Sequence, residues 1–248
     1  VTRFMALFQD TSPDNIGPIR SARPYYVSWA LGFDAGYAHV GGSPDGLAFI
    51  RSAGARDLDQ FANSGAYHRI NTRSAPHNVY TGIQTLTDLA ISKGYTTSTF
   101  TGFARKAVAP SAAPNAKSID LALSGYYYNP HFDYNAATNS YNRNEAGAPQ
   151  IDQNNGKQLS PNVVVALVTP LGQGALDSSG AYYSAYNVVG GGTAYIFQDG
   201  VVTIGQWSKP NDKTNLSFTD QAGAPLTLNP GQTWLTAVSS AGAISYAP

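Results

Sequence analysis

Arg20 and Arg23 stand close together in Gly17-Pro-Ile-Arg-Ser-Ala-Arg-Pro24, in a chain where only 12% of residues are charged. A guanidinium is planar and suited to bidentate recognition of carboxylate or phosphate. Ser21 reads as an N-cap, and Pro24 fits the first turn of the helix that follows, where a missing N–H costs nothing. Two uses are open to such a pair: receiving an anion, or bonding carbonyls and acids within the fold. A second start of the same kind is His39-Val-Gly-Gly-Ser-Pro44, with Ser43 as N-cap and Pro44 in the first turn. Free N–H groups and the positive end of the helix dipole suit an anion there, and Gly41 and Gly42 permit close approach. A third polar turn is Pro76-His-Asn78. If the three turns share a rim, the candidate ligand-binding set is Arg3, Arg20, Ser21, Arg23, His39, Gly41, Gly42, Ser43, His77 and Asn78.

Other chemistry is less well marked. His39 and His77 are the candidate acid–base pair for a hydrolytic alternative. Ser43 lacks the Gly-x-Ser-x-Gly elbow of a nucleophilic serine, and an N-cap serine already spends its oxygen on backbone N–H groups. His39, His68, His77, Asp34 and Asp45 show no recognised metal-ligand spacing, so neither a metal nor a cofactor is expected. In the second half, Tyr126-Tyr-Tyr128, His131, Tyr134 and Tyr141 gather aromatic rings near Asn and Asp. Rings in that company can receive sugars or peptide segments, or simply pack in a sheet with their hydroxyls at the wet edge. Arg143 and Asp152 are expected to pair and close a long loop. Trp207 reads as core, with Lys209 covering it or facing a ligand.

Those groups need elements to hold them. The chain has 248 residues, enough for one large or two ordinary domains. Lys+Arg 15 and Asp+Glu 15 cancel, which disfavours nucleic acid as a partner. Cysteine is absent, so no disulfide or thiolate site is available. Polar residues without charge abound, a pattern common in secreted and cell-surface proteins. No apolar run is long enough to span a membrane, and no signal peptide is visible. The first residues alternate as though in mid-strand, giving the expectation that a leader, anchor or first strand has been removed.

Arg3 to Gln9 is predicted as a buried central strand, followed by a loop from Asp10 to Pro18. A helix from about Ser21 to Leu31, a strand from Asp34 to Val40, a helix ending near Gly54, and a third helix capped by Thr81 and stopped at Gly94 complete an α/β layer. Ala107 to Lys117 reads as a linker. Beyond it the pattern is mostly strand: Ser118 to Tyr128, Asn162 to Thr169, Thr193 to Phe197, Val201 to Trp207, Ala224 to Leu228 and Thr233 to Val238. Asp199-Gly200 marks a hairpin. The expectation is α/β (α+β): an N-terminal α/β layered domain over 1–110, then a β-rich C-terminal domain over 111–248.

The motifs resemble, in order, the bacterial YerB-like lipoprotein family, a domain of unknown function with separate N- and C-terminal domains. The residues carrying the resemblance are Thr2-Arg3-Phe4, Gly17-Pro-Ile-Arg-Ser-Ala-Arg-Pro24, His39-Val-Gly-Gly-Ser-Pro44 and Arg69 through Ala75-Pro-His-Asn-Val-Tyr80. In the second half they are Tyr141-Asn-Arg143, Asp152, Asn162-Val-Val-Val165, Gly191-Gly-Thr-Ala-Tyr-Ile-Phe197, Asp199-Gly200, Trp207-Ser-Lys209 and Asn229-Pro-Gly-Gln-Thr-Trp234. The resemblance implies an extracytoplasmic protein that meets the membrane only through an N-terminal lipid anchor outside this chain. It implies no activity. Combined with the arginine turns, it leads to the expectation of an envelope protein binding an anionic group, with a cell-wall or envelope polymer as partner. The alternatives are a hydrolase of envelope phosphodiester or glycan links and a structural scaffold.

Overall fold

A computed structural model describes residues 3–9, 11–176 and 180–248. Thr2, which opens the first family motif, and Asp10, where the predicted loop begins, lie outside them.

The first half is an α/β unit with short strands. Helix α1 (Pro24–Gly32) begins later than expected, and its N-cap is Arg23 rather than Ser21. The cause is tertiary. Ala22 donates its N–H to the Gly41 carbonyl at 2.9 Å and accepts from the Ser43 N–H at 3.2 Å, so the chain stays extended until Pro24. Strand β1 (Gly36–His39), helix α2 (Pro44–Ala53) and strand β2 (Arg56–Asp59) then form a parallel β–α–β unit. Here local chemistry decides. The Ser43 hydroxyl accepts from the Gly46 N–H at 3.3 Å, and Gly54 ends the helix at φ +67°, in the left-handed region that favours glycine.

A small hairpin follows, β3 (His68–Arg69) with β4 (Val79–Tyr80), and then helix α3 (Ile83–Ser92). Gly82, not Thr81, is its N-cap, because the Thr81 hydroxyl donates instead to the Ala66 carbonyl at 2.7 Å. The predicted strand Arg3–Gln9 does not form. Its described residues pair with no strand, and Phe4 is 62% exposed, its ring 5.6 Å from that of Trp234 in the second half. The alternation belongs to an extended strap, not to a buried strand.

The second half contains two five-stranded sheets. One runs β16-β5-β6-β7-β8, from β5 (Ser118–Leu121), β6 (Pro130–Asn135), β7 (Ser140–Glu145), β8 (Ala148–Pro149) and β16 (Ile244–Ala247). The other runs β14-β13-β12-β9-β15, from β9 (Val163–Val168), β12 (Gly190–Gln198), β13 (Val201–Lys209), β14 (Ser217–Thr219) and β15 (Thr233–Val238). Between β9 and β12, strands β10 (Leu171–Leu176) and β11 (Tyr182–Tyr186) form a separate hairpin.

Strand β9 is the axis of the packing, and residues 163–167 are all buried. On one face Val164 and Ala166 meet Ile119, Leu121, Phe132 and Tyr141 of the other sheet. On the opposite face Val163, Val165 and Leu167 join Ile196, Trp207 and Phe218, against which Trp29 and Phe103 pack. A near-continuous apolar sequence is what a strand buried on both faces requires, each such side chain contributing about 1.5–3 kcal/mol. Asp199 and Gly200, at φ 58° and 76°, make the expected tight turn between β12 and β13.

Several finer expectations are corrected. Ala224–Leu228 makes only isolated bridges, since Pro225 has no N–H to give a ladder. Tyr126–Tyr128 is a 3-10 turn, not part of a strand. Ala107–Lys117 has no regular structure but is fastened to the 199–200 turn by the Ser111, Asn115 and Ala116 N–H groups. Arg143 pairs with Glu145 at 3.0 Å instead of Asp152 and lies 4.5 Å from the centre of the Trp234 ring. Lys209 is buried and caps the Asn211 and Asp212 carbonyls at 2.8 and 2.7 Å, so it faces no ligand. The fold is α+β and β-rich, with an α/β unit leading into the two sheets.

Candidate functional site

The extended segment 16–23 is the spine of the candidate site. On one side it pairs with β4: the Ile16 N–H donates to the Thr81 carbonyl at 2.7 Å, and the Ile19 N–H to the Val79 carbonyl at 2.8 Å. Gly17 lies so close to Tyr80 that an added Cβ would come within 2.4 Å of its ring. On the other side the Val40 N–H donates to the Arg20 carbonyl at 3.1 Å, and Ala22 bridges to Gly42. The turns containing Arg20, His39–Ser43 and His77 are therefore neighbours in one small structure. Their chemistry differs.

Arg20, Arg73, His77 and Arg3 form a basic cluster. Burial lowers the Arg20 pKa first, then the charges of Arg23 and Arg73. Arg3 is lowered by burial, then by Arg23 and Arg20. His77 is solvent-exposed, and its pKa is depressed chiefly by the charge of Arg20, with Arg73 and Arg3 adding to the effect. Arg73 donates to the Tyr80 hydroxyl at 3.4 Å, and Arg3 to the Ser21 carbonyl at 3.3 Å. Among the described residues, no carboxylate forms an ion pair with Arg3, Arg20, Arg73 or His77.

Arg23 belongs to the fold. It is 4% exposed, donates to the Ala22 carbonyl at 3.0 Å and lies 4.8 Å from the centre of the Tyr183 ring. Tyr183 arrives from the β10–β11 hairpin. Its hydroxyl donates to Asp45 in the first turn of α2, and burial together with that carboxylate pushes it up to about 12. Tyr183 therefore stays protonated and keeps its donor in place across the working pH range. Tyr25 lies against the same ring, at 6.4 Å between centroids.

The His39–Ser43 turn offers no anion site. His39 is fully buried, its Nδ1 2.7 Å from the Gly41 carbonyl and its Nε2 3.0 Å from Asp57. With both ring nitrogens occupied, it cannot act with His77 as an acid–base pair. The Gly41 N–H is taken by Asp59 at 2.8 Å, and Gly42 and Ser43 pair with Ala22. At the start of α2 the acceptor is already in place: both Ser43 and Asp45 receive the Gly46 N–H. An acidic first-turn residue of this kind suits the dipole and repels a second anion. Ser21 enters through its carbonyl alone, and Asn78 braces its loop by accepting from Arg69 at 2.8 Å.

Arg73, Tyr183 and Asp45 were absent from the expected set. Arg73 lies between the matched residues of the 69–80 motif, in Asn71-Thr-Arg-Ser74, where nothing local marks an exposed arginine as functional. Its place becomes visible only when β4 pairs with segment 16–19.

Family models place the chain among its relatives, and a solved structure shares its fold. A model described as protein of unknown function (DUF3048) N-terminal domain matches residues 1–96, and the corresponding C-terminal domain matches residues 119–235. The chain is 26% identical over 249 residues to "Putative lipoprotein YerB" of Bacillus subtilis (strain 168), spanning 99% of this chain and 73% of that protein. A crystal structure of YerB protein from Bacillus subtilis superposes with a TM-score of 0.81 at 24% identity, covering 97% of this chain and 80% of the other. At that identity the superposition speaks for the fold.

Proposed function

This chain belongs to the DUF3048 family of two-domain proteins, and from that premise we propose that it is a cell-envelope protein that binds an anionic group, phosphate or carboxylate, at Arg20, Arg73, His77 and Arg3. The observation that carries the proposal is the basic cluster without an ion-paired carboxylate among the described residues. Like charges held together in a fold raise its free energy, and a bound anion relieves that repulsion while accepting charge-assisted hydrogen bonds. The envelope setting comes from the lipoprotein name of the Bacillus subtilis relative. An envelope polymer bearing phosphate or carboxylate groups is the ligand class that fits both.

The test is titration of the whole chain with inorganic phosphate, acetate and poly(glycerol phosphate), followed by calorimetry and by the His77 ring signals. Binding should weaken with salt and fall about tenfold for each of Arg20→Ala and Arg73→Ala, the loss of one charge-assisted contact. Absence of binding to all three probes, or equal binding by the double variant, overturns the proposal.

A further inference from the structure

The second half carries a different kind of cleft, on the outer face of the sheet formed by β5, β6 and β7. Ile119, Phe132 and Arg143 alternate inward, so Asp120, His131, Asp133 and Asn144 stand outward. Asp120 lies opposite His131 in the ladder, and His131 opposite Asn144. The three make a polar row across adjacent strands about 4.8 Å apart. An open cleft of about 500 Å³ lies over this row, walled by Tyr126.

The wall is held in place. Asn129 accepts from the Leu123 and Ser124 N–H groups at 2.8 and 2.9 Å, pinning the loop that enters the tyrosine turn. Gly147, at φ +74°, lets the Tyr126 hydroxyl come so near that an added Cβ would stand 2.6 Å from it. Tyr126 and Tyr127 meet edge to face at 5.5 Å, yet remain 66% and 72% exposed. Two large rings presented to water beside a polar row are not core packing.

We infer that this cleft binds a saccharide, with the exposed Tyr126 ring as the stacking wall and the row as the hydroxyl-binding edge. The row is hydrogen-bonded within itself. His131 sits between Asp120 at 2.8 Å and Asp133 at 3.0 Å, and Asn144 donates to the second Asp133 oxygen at 2.8 Å. Two carboxylates face one imidazole, so the row keeps a net negative charge and presents carboxylate acceptors, which suit the neighbouring hydroxyl groups of a sugar. The second oxygen of Asp120, which has no hydrogen-bond partner among the described residues, remains an acceptor for such a hydroxyl. The strand spacing of the row is comparable to the width of a sugar ring, and a ring's apolar face suits a tyrosine platform.

The inference rests on a different half of the molecule from the anion proposal and stands or falls separately. The experiment applies the whole chain to an array of uncharged oligosaccharides, with a lysine-rich peptide and poly(glycerol phosphate) as control probes. Retained glycans are then titrated by tyrosine fluorescence. The expected result is saccharide binding that falls about three- to tenfold in Tyr126→Ala and again in Asp120→Asn, and is unchanged in Arg20→Ala. Both side chains are exposed, so folding of each variant is checked by its unchanged unfolding midpoint. Failure of every saccharide to bind, equal binding by Tyr126→Ala, or preference for the lysine peptide overturns it.

Discussion

The basic cluster around Arg20 and the cleft around His131 are both built on polar side chains carried by extended backbone, yet they treat charge in opposite ways. In the second, each charged group has an oppositely charged or hydrogen-bonding neighbour: His131 lies between Asp120 and Asp133, and Asn144 takes the remaining oxygen of Asp133. In the first, the groups that perturb Arg20 and His77 electrostatically are other cations. Carboxylates bridged by an imidazole present hydrogen-bonding edges, whereas like charges facing one another favour an external counter-charge. The difference shows that the type of residue alone does not define a site, since each region contains a histidine with charged neighbours.

The largest expected effect breaks the first region and leaves the second intact. His39→Ala removes a fully buried ring together with its hydrogen bonds to the Gly41 carbonyl and Asp57. Loss of about 2–3 kcal/mol of stability is expected in urea unfolding, because the buried ring leaves a cavity and its two hydrogen bonds are lost. The turn that supports Arg20 would loosen too, so phosphate binding should fall while saccharide binding by the folded fraction persists. A change below about 0.5 kcal/mol would show that His39 is not the bolt between Gly41 and β2.

Next in size is the pair of arginines. Arg20→Ala should weaken phosphate binding about tenfold while leaving stability within about 0.5 kcal/mol, or raising it, because a repulsive charge is removed. A matched loss of stability would place Arg20 with Arg23 among the structural arginines.

A smaller effect joins the two regions. Tyr183→Phe deletes the hydroxyl that donates to Asp45 and should cost about 1 kcal/mol. The β10–β11 hairpin is the second half's reach into the first. Its loosening should expose Arg23, read as faster amide exchange at Ala22 and Arg23. No change in exchange would mean that ring packing on Arg23 and Tyr25 suffices to hold the hairpin.

Part of this was legible in the sequence, and the division follows range. Ser43, Pro44 and Gly54 bound α2 because caps and left-handed stops act within a few residues. Asp199-Gly200 bends β12 into β13 for the same reason. Ser21 and Thr81 have equally good capping chemistry and do not cap, because Ala22 and the Thr81 hydroxyl are claimed by Gly41, Ser43 and Ala66. The parallel pairing of β15 with β9 leaves no local trace at all. At the candidate site, the meeting of the three turns was foreseen as a possibility, but the separation of Arg20 from Arg23 was not. That separation depends on Tyr183, a residue remote in sequence that lies over one guanidinium and not the other.

The most delicate test concerns the imidazoles of His131 and His77. Burial opposes charge on His131, but the hydrogen bonds and charges of Asp120 and Asp133 outweigh it and raise its pKa. The folded state then binds the proton more tightly than the unfolded chain. The stabilisation from His131 is fully present below about pH 6.5 and is lost as pH rises through the folded value. His77 runs the other way, since its arginine neighbours lower its pKa. Between its folded value and about pH 6.5 the unfolded state binds more protons, so this contribution to stability rises with pH. Proton NMR of the ring signals should therefore show one histidine titrating above the ordinary range and one below it. Asp120→Asn with Asp133→Asn should bring His131 down, and Arg20→Ala with Arg73→Ala should bring His77 up. Phosphate should move His77 upward in the native chain and leave His131 where it was, because only the former lies in a field that an anion can cancel. Displacement of both rings to the same side would erase the distinction between a paired site and an unpaired one.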